Sequence, residues 1–483
     1  MNYKFSKGFL SALCAVSICF TSFLAFPLSA HATTTDFAAQ AEAYKELPVQ
    51  SNEIENWPDG PVVSAEAAIL MEANTGTILY AKNIDEKMYP ASTTKILTCL
   101  IATEQADLND IVTMSDEAVF SVPADGSKIW LDSGEQITVD QALQAILIAS
   151  ANDASNGIAE LIGGSLDGFA EIMNERAKEL GCTNSHFVNA NGLYDDNHYT
   201  TAHDLAMIGR AFFSNELLCK YSSTPKLHLT PTATQPDDII EFSKNKLYEG
   251  AEYEYEYLVG SKTGYTDEAR QTLVSCAEKN GMKLICVVFK EETPYQYEDT
   301  INLFNYGFAN FQTIDISESD SEYVIDNANF FNTDNDIFGS SKPILSLDKN
   351  GYIVIPNTAE LSDTESSISY DVTEENQIAS IDYTYNGVAV GSIAVNLASE
   401  SVATYQFDSA VNDTSITDTE EATDTVIFIN VKVVILWILG IAGLLAAIFI
   451  IRALMNNYNF AKKHRRHLRK KRRRYKGFRD IDF

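Results

Sequence analysis

Residues 89–95 read Tyr-Pro-Ala-Ser-Thr-Thr-Lys, and a largely apolar run follows: Ile96, Leu97, Thr98, Cys99, Leu100, Ile101, Ala102. Following Pro90 and Ala91, this pattern predicts a helix over residues 92–104. In its first turn residues three apart share a face, which puts the Lys95 amine beside the Ser92 hydroxyl. A serine hydroxyl is a weak nucleophile until a neighbouring base takes its proton. A lysine can be that base when burial and a second cation lower its pKa. The S-x-x-K spacing alone decides nothing, because Ser223/Lys226, Ser243/Lys246 and Ser346/Lys349 repeat it. Taken by itself, Ser92 reads as a helix cap sooner than as a nucleophile.

Two further stretches carry chemistry. Ser150-Ala151-Asn152 falls between apolar segments predicted as helices at 139–148 and 154–162. On such a break a hydroxyl and an amide can face one cleft, to relay a proton or hold a substrate amide, although both residues also serve as caps. Lys262-Thr263-Gly264 follows the apolar Tyr257-Leu258-Val259. A strand there presents a cation and a hydroxyl suited to a carboxylate, and the glycine leaves room for a ligand backbone.

S-x-x-K, S-x-N and K-T-G, in that order within one domain, are the set carried by penicillin-binding proteins and β-lactamases. On these motifs, and on the Asn191-Gly192-Leu193 to Thr200-Thr201-Ala202 loop and Tyr265-Thr266, the sequence resembles the low-molecular-weight penicillin-binding proteins. These are serine-type D-alanyl-D-alanine carboxypeptidases. The resemblance covers about residues 60–405. It implies an acylated Ser92, Lys95 as general base, and Ser150 and Asn152 in proton relay and substrate positioning. Lys262, Thr263 and Gly264 would receive the terminal carboxylate, and the Lys262 charge would depress the Lys95 pKa. The backbone N–H groups of Ser92 and Tyr265 would form the oxyanion hole. Two departures stand out. Ala151 occupies a position where many relatives have glycine. Tyr297 or its neighbours stand where relatives often carry a carboxylate-binding arginine, while Arg270 replaces a usual glycine. Arg270 is therefore expected to supply the missing cation.

Working outward, strands are expected at 62–72 and 77–82 around an Asn74-Thr75-Gly76 turn, and at 271–277 and 283–289 around Asn280-Gly281. A closing amphipathic helix is expected at 297–311. The fold class is α+β: a β-lactamase/D,D-peptidase-like catalytic domain at 61–315, an antiparallel sheet with helices. A small all-β domain, read as a β-sandwich, follows at 316–407, from alternating runs such as 351–355 and 378–385. Residues 408–430 form an acidic linker.

Both ends of the 483-residue chain bear on location. Residues 1–32 (Lys4 and Lys7, an apolar stretch at 9–26, then Ala30-His31-Ala32) read as a signal peptide, with a polar segment at 33–60. Residues 431–452 include 19 uncharged positions from Val433 to Ile451 and read as one C-terminal transmembrane helix. The basic tail at 453–483 marks the cytoplasmic side. The expected location is the cell membrane, single-pass, with the catalytic domain outside. A net charge of -32 in a chain whose basic residues cluster at the tail excludes nucleic acid as partner of the body. Of seven cysteines, Cys14 and Cys19 leave with the signal peptide, and the remaining odd number has no C-x-x-C spacing. His186, His198 and His203 lack metal-ligand spacing, so no metal or cofactor is implied. Expected partners are a peptidoglycan pentapeptide, β-lactam antibiotics as covalent inhibitors, and the membrane, through the helix and basic tail. Three alternatives stay open: a β-lactamase, for which no E-x-x-L-N stretch is found; a D,D-endopeptidase on the same fold; and a non-catalytic wall-binding scaffold.

Overall fold

The structure, a computed structural model, describes residues 36–316, 345–348, 351–372 and 377–397. The expected signal peptide and the 431–452 helix lie outside the described residues. Among the described residues no helix is long and apolar enough to cross a membrane.

In chain order the elements begin with α1 (Phe37–Lys45), β1 (Ala67–Glu72), β2 (Ile78–Lys82) and α2 (Lys95–Gln105). Next come β3 (Ile111–Thr113), α3 (Asp116–Phe120), β4 (Gln136–Thr138), α4 (Val139–Gln144), α5 (Asn152–Gly163) and α6 (Leu166–Glu179). Then follow α7 (Ala202–Phe213), α8 (Glu216–Ser222), β5 (Lys226–Leu229), β6 (Ile239–Phe242), β7 (Leu258–Thr266), β8 (Arg270–Lys279) and β9 (Met282–Glu291). The last are α9 (Tyr295–Asn310), β10 (Phe311–Asp315), β11 (Leu345–Leu347), β12 (Tyr352–Pro356), β13 (Glu365–Ser369), β14 (Gln377–Tyr385) and β15 (Val388–Leu397).

The central sheet is antiparallel, in the order β2-β1-β9-β8-β7. Its inner strands are buried on both faces, over residues 67–72 of β1, 272–277 of β8 and 284–289 of β9. Successive side chains point to opposite faces. Ile69 and Met71 of β1, Val274 and Cys276 of β8, and Ile285, Val287 and Phe289 of β9 enter the core shared with α2, α5 and α7. Leu70, Leu273, Leu284, Cys286 and Val288 enter a second core with Leu303 and Phe304 of α9. Gly307 lets α9 approach closely: a Cβ there would stand 2.6 Å from Leu284 and 2.7 Å from Leu70. The second core continues through Ile353, Ile355, Ile381, Tyr383 and Ile393. A two-stranded sheet (β10-β12) and a four-stranded sheet (β11-β15-β14-β13) form this all-β part. Strand β10, inside the expected catalytic segment, pairs with β12 beyond it (Phe311 opposite Pro356, Asp315 opposite Tyr352). Among the described residues five cysteines are free, four of them buried.

Two elements differ from the sequence expectation. The first strand begins at Ala67, not 62, because Ser64 turns its N–H and hydroxyl to carboxylates: Asp299 Oδ2 at 2.6 and 2.9 Å, and Glu291 Oε2 at 2.7 Å from the hydroxyl. The helix expected over 139–148 stays α-helical only to Gln144 and widens into a π-turn at Ala145–Ala149. That turn accommodates an extra residue and ends at Ser150 in the left-handed region (φ 61°).

The buried Glu291 carboxyl beside Asp299 is held well above the ordinary carboxylate range, first by desolvation and then by the Asp299 charge. A carboxyl raised on folding keeps its proton in the native state while the unfolded chain releases it. Its contribution to stability is therefore fully present below the unfolded value of about 4.5 and is lost as pH rises toward the folded one. Glu291→Gln cannot titrate. Thermal melts at about pH 5 and about pH 8 are expected to show a smaller fall for the variant than for the parent. An equal fall in both would remove Glu291 as the cause.

Candidate active site

Ser92 is half-buried, in the 3₁₀ turn Ala91–Thr94 that opens α2. Two glycines let the chain pack against this turn. A Cβ on Gly192 (φ 81°) would stand 1.8 Å from the Ala91 carbonyl oxygen. One on Gly264 of β7 would stand 2.9 Å from the Pro90 carbonyl oxygen and 3.0 Å from the Ser92 nitrogen. Ala91 itself has φ 48°. Non-glycine residues in this region cost on the order of 1 kcal/mol or more, a strain that gathers at functional sites.

Lys95, one helical turn on, is fully buried. Its Nζ lies 2.9 Å from Ser92 Oγ, 2.6 Å from Asn152 Oδ1 and 2.5 Å from the Asn191 carbonyl oxygen. Two of these partners can only accept a hydrogen bond, whereas the hydroxyl can also donate. A neutral amine, with two N–H groups and one lone pair, fits the set: it donates to Asn152 and Asn191 and faces the Ser92 O–H with its lone pair. Burial, and next the Lys262 charge, push Lys95 well below the ordinary lysine range. Lys262 is likewise buried, donates to Ser150 Oγ at 3.0 Å and to the Thr263 carbonyl at 2.7 Å, and is lowered to about 7, first by desolvation and then by Lys244. Two buried amines in one region disfavour a second proton. The acceptors around Lys95 and the Ser92 hydroxyl fit its neutral form, which leaves the remaining charge on Lys262.

These groups open onto a cleft of about 540 Å³ whose walls include Ser92, Ser150, Asn152, Thr263, Gly264 and Tyr265. Helix α2, the π-turn, the start of α5 and strand β7 thus bring together Ser92, Lys95, Ser150, Asn152, Lys262, Thr263, Gly264 and Tyr265. Arg270 stands apart from the lining. It has φ 53°, forms a bidentate pair with Glu292 (2.7 and 2.9 Å), donates to the Tyr265 hydroxyl at 2.9 Å, and has the Phe37 ring stacked on its guanidinium at 3.9 Å.

Ser127 and Lys244 escaped the sequence reading, and Asn191 entered it only within a loop that carries the resemblance. Asn191 supplies a main-chain carbonyl to Lys95, which no side-chain motif reveals, although Gly192 next to it marks a close approach. Ser127 accepts the Asn152 N–H on its carbonyl (2.8 Å) and the Lys244 amine on its hydroxyl (2.5 Å). Lys244 lines the cleft, and desolvation lowers its pKa. Tyr297, also on the cleft wall, donates its hydroxyl to the Lys244 carbonyl at 3.1 Å and stacks on Tyr253. His198 is buried: its Nδ1 accepts the Val188 N–H at 3.1 Å, which leaves Nε2–H to bond Thr94 Oγ1 at 2.8 Å.

A serine bonded to a neutral buried lysine, with a second hydroxyl–lysine pair across one cleft, defines a serine acyl-transfer enzyme that dispenses with histidine. The family model described as D-alanyl-D-alanine carboxypeptidase, peptidase S11, matches residues 54–293. The chain is 37% identical over 254 residues to D-alanyl-D-alanine carboxypeptidase DacF of Bacillus subtilis (strain 168), an alignment covering 52% of this chain and 63% of that relative. It is 31% identical over 297 residues to D-alanyl-D-alanine carboxypeptidase DacA of Haemophilus influenzae, covering 60% of this chain and 73% of that relative. Penicillin binding protein 5 from Haemophilus influenzae superposes with a TM-score of 0.55 at 26% identity, covering 70% of this chain and 98% of that structure. The chain belongs to the D-alanyl-D-alanine carboxypeptidase family of serine peptidases.

Proposed function

We propose that this protein removes the terminal D-alanine from peptidoglycan stem peptides through an acyl-enzyme on Ser92, outside a membrane to which residues 431–452 anchor it, and that penicillins acylate the same serine. The observation that carries the reaction is the Ser92–Lys95–Asn152–Asn191 arrangement, whose burial and hydrogen-bond acceptors favour a neutral base before substrate arrives. Lys95 takes the Ser92 proton as Oγ attacks the carbonyl of the penultimate D-alanine. The developing oxyanion meets the N–H groups of Ser92 and Tyr265, the former left open by the missing side chain of Gly264. The proton passes to the leaving amine through Lys95 and the Ser150 hydroxyl, the C–N bond breaks, and D-alanine departs. Water then attacks the ester, giving up its proton to restore the Ser92 hydroxyl. The apolar run and the basic tail behind it support the anchor and its orientation. Release of D-alanine from a pentapeptide ending in D-Ala-D-Ala, measured on the full chain, tests this reading. Acylation by penicillin without D-alanine release would instead favour a β-lactamase or an endopeptidase.

The departing carboxylate needs cations. Lys262 and Thr263 provide the first site, and the remaining question is whether Arg270 or Lys244 adds a second. Lys244 stands on the cleft wall, whereas Arg270 reaches the cleft only through the Tyr265 hydroxyl. Lys244→Ala is expected to raise KM about tenfold, the worth of one charge-assisted contact, and more than Arg270→Ala does. Steady-state kinetics of the two variants decide between them, and a larger effect at Arg270 would restore the arginine to the role.

A further inference from the structure

Trp130 has φ 65°, a conformation unusual for any residue with a side chain and a marked outlier for one this bulky. It is also 66% exposed, although Ile129 and Leu131 on either side are buried. The cause is local. The buried Asp153 carboxylate accepts the N–H of Ile129 at 3.1 Å and of Leu131 at 3.3 Å, with the Trp130 N–H contributing, and this gathers the backbone and turns the indole outward. Lys128 Nζ sits 4.5 Å from the ring centroid over one indole face. Nothing in packing requires an aromatic ring here, and strain of this kind persists where the surrounding structure imposes it, commonly at ligand clamps.

The position is as telling as the strain. Asp153 directly follows Asn152, so one helix start holds both the catalytic lysine and this loop. Ser127, three residues before Trp130, lines the cleft. The Trp130 backbone is therefore joined to the cleft wall by no more than about 10 Å of chain. A cleft of about 540 Å³ takes the end of a peptide, and a sugar chain bearing that peptide must cross the rim. A buried apolar side chain would call for an enclosed pocket. A flat, one-sided, solvent-facing ring beside a cation suits a pyranose instead, since its C–H face can stack while its hydroxyls stay in water.

We propose that Trp130, oriented by Asp153 and Lys128, is a rim subsite that stacks a sugar ring of the glycan strand carrying the stem peptide. The proposal rests on the carboxypeptidase reading above. Its test compares the full chain with Trp130→Ala and Trp130→Phe on a free pentapeptide and on the same pentapeptide attached to a glycan tetrasaccharide. For Trp130→Ala, KM for the glycan-linked substrate is expected to rise about tenfold while KM for the free peptide stays unchanged, and Trp130→Phe is expected to retain most of the affinity. Equal effects on both substrates, the signature of a peptide contact, or no effect on either, would overturn the subsite. Calorimetric binding of the peptide-free tetrasaccharide separates the two readings. Binding that Trp130→Ala abolishes supports the subsite even where no D-alanine is released, and no binding to the parent protein counts against it.

Discussion

Replacing Ser92 by alanine is expected to abolish covalent labelling by a fluorescent penicillin and to lower D-alanine release by about 10⁴-fold or more, as loss of a nucleophile does in serine peptidases. The fold should survive. Ser92 is half-buried, and its side chain contributes one hydrogen bond, to Lys95, worth about 1 kcal/mol. Lys95 loses the partner it deprotonates but keeps Asn152 and Asn191, so the amine is not stranded. A melting temperature close to that of the parent, alongside lost labelling, would tie the loss to chemistry. Labelling that persists in a folded Ser92→Ala protein would move the nucleophile elsewhere and undo the mechanism.

Lys262→Met is expected to act twice. Its charge is the second cause, after burial, of the depressed Lys95 pKa. Without it the Lys95 pKa rises, less of the amine is neutral at a given pH, and the ascending limb of kcat/KM against pH moves to higher pH. The carboxylate also loses its primary cation, so kcat/KM at neutral pH should fall by about 10²- to 10³-fold. Stability should not fall with it. An amine lowered from 10.5 to about 7 on folding is stabilised at high pH and loses that contribution as pH falls toward its folded value. Methionine, of similar volume, has no such penalty at neutral pH. A drop in kcat/KM with an unmoved pH profile would limit Lys262 to holding substrate and require another source for the basicity of Lys95.

Much of this site was legible because its chemistry is local. Ser92 and Lys95 share a helix face by virtue of their spacing, and Lys262-Thr263-Gly264 lies along one strand in the order a carboxylate and a ligand backbone need. The Asn280-Gly281 turn sits between two strands that pair as their apolar runs imply, Lys279 opposite Met282. Other features had no local sign. The pattern over 139–148 satisfies a continuous helix, and only packing against neighbours shows that the chain widens after Gln144 to aim Ser150 at Lys262. Lys244 and Ser127 sit in loops where a lone lysine or serine reads as solvated surface. Trp130 reads as one more apolar residue until its φ and exposure are known.

The residue types and their spacing determined the proposed chemistry, because the proposed nucleophile and base share one short motif and the proposed carboxylate receptor forms another, each with a geometry that the backbone of one element sets. The resemblance already pointed to Lys262 as the cation that lowers Lys95, and tertiary structure supplies the burial and proximity behind the effect. The depressed Lys95 amine needs burial among α2, α5 and the Asn191 loop, and it needs the charge of a lysine 167 positions further along the chain (262 less 95). Dielectric and charge proximity are properties of space, and sequence distance carries neither.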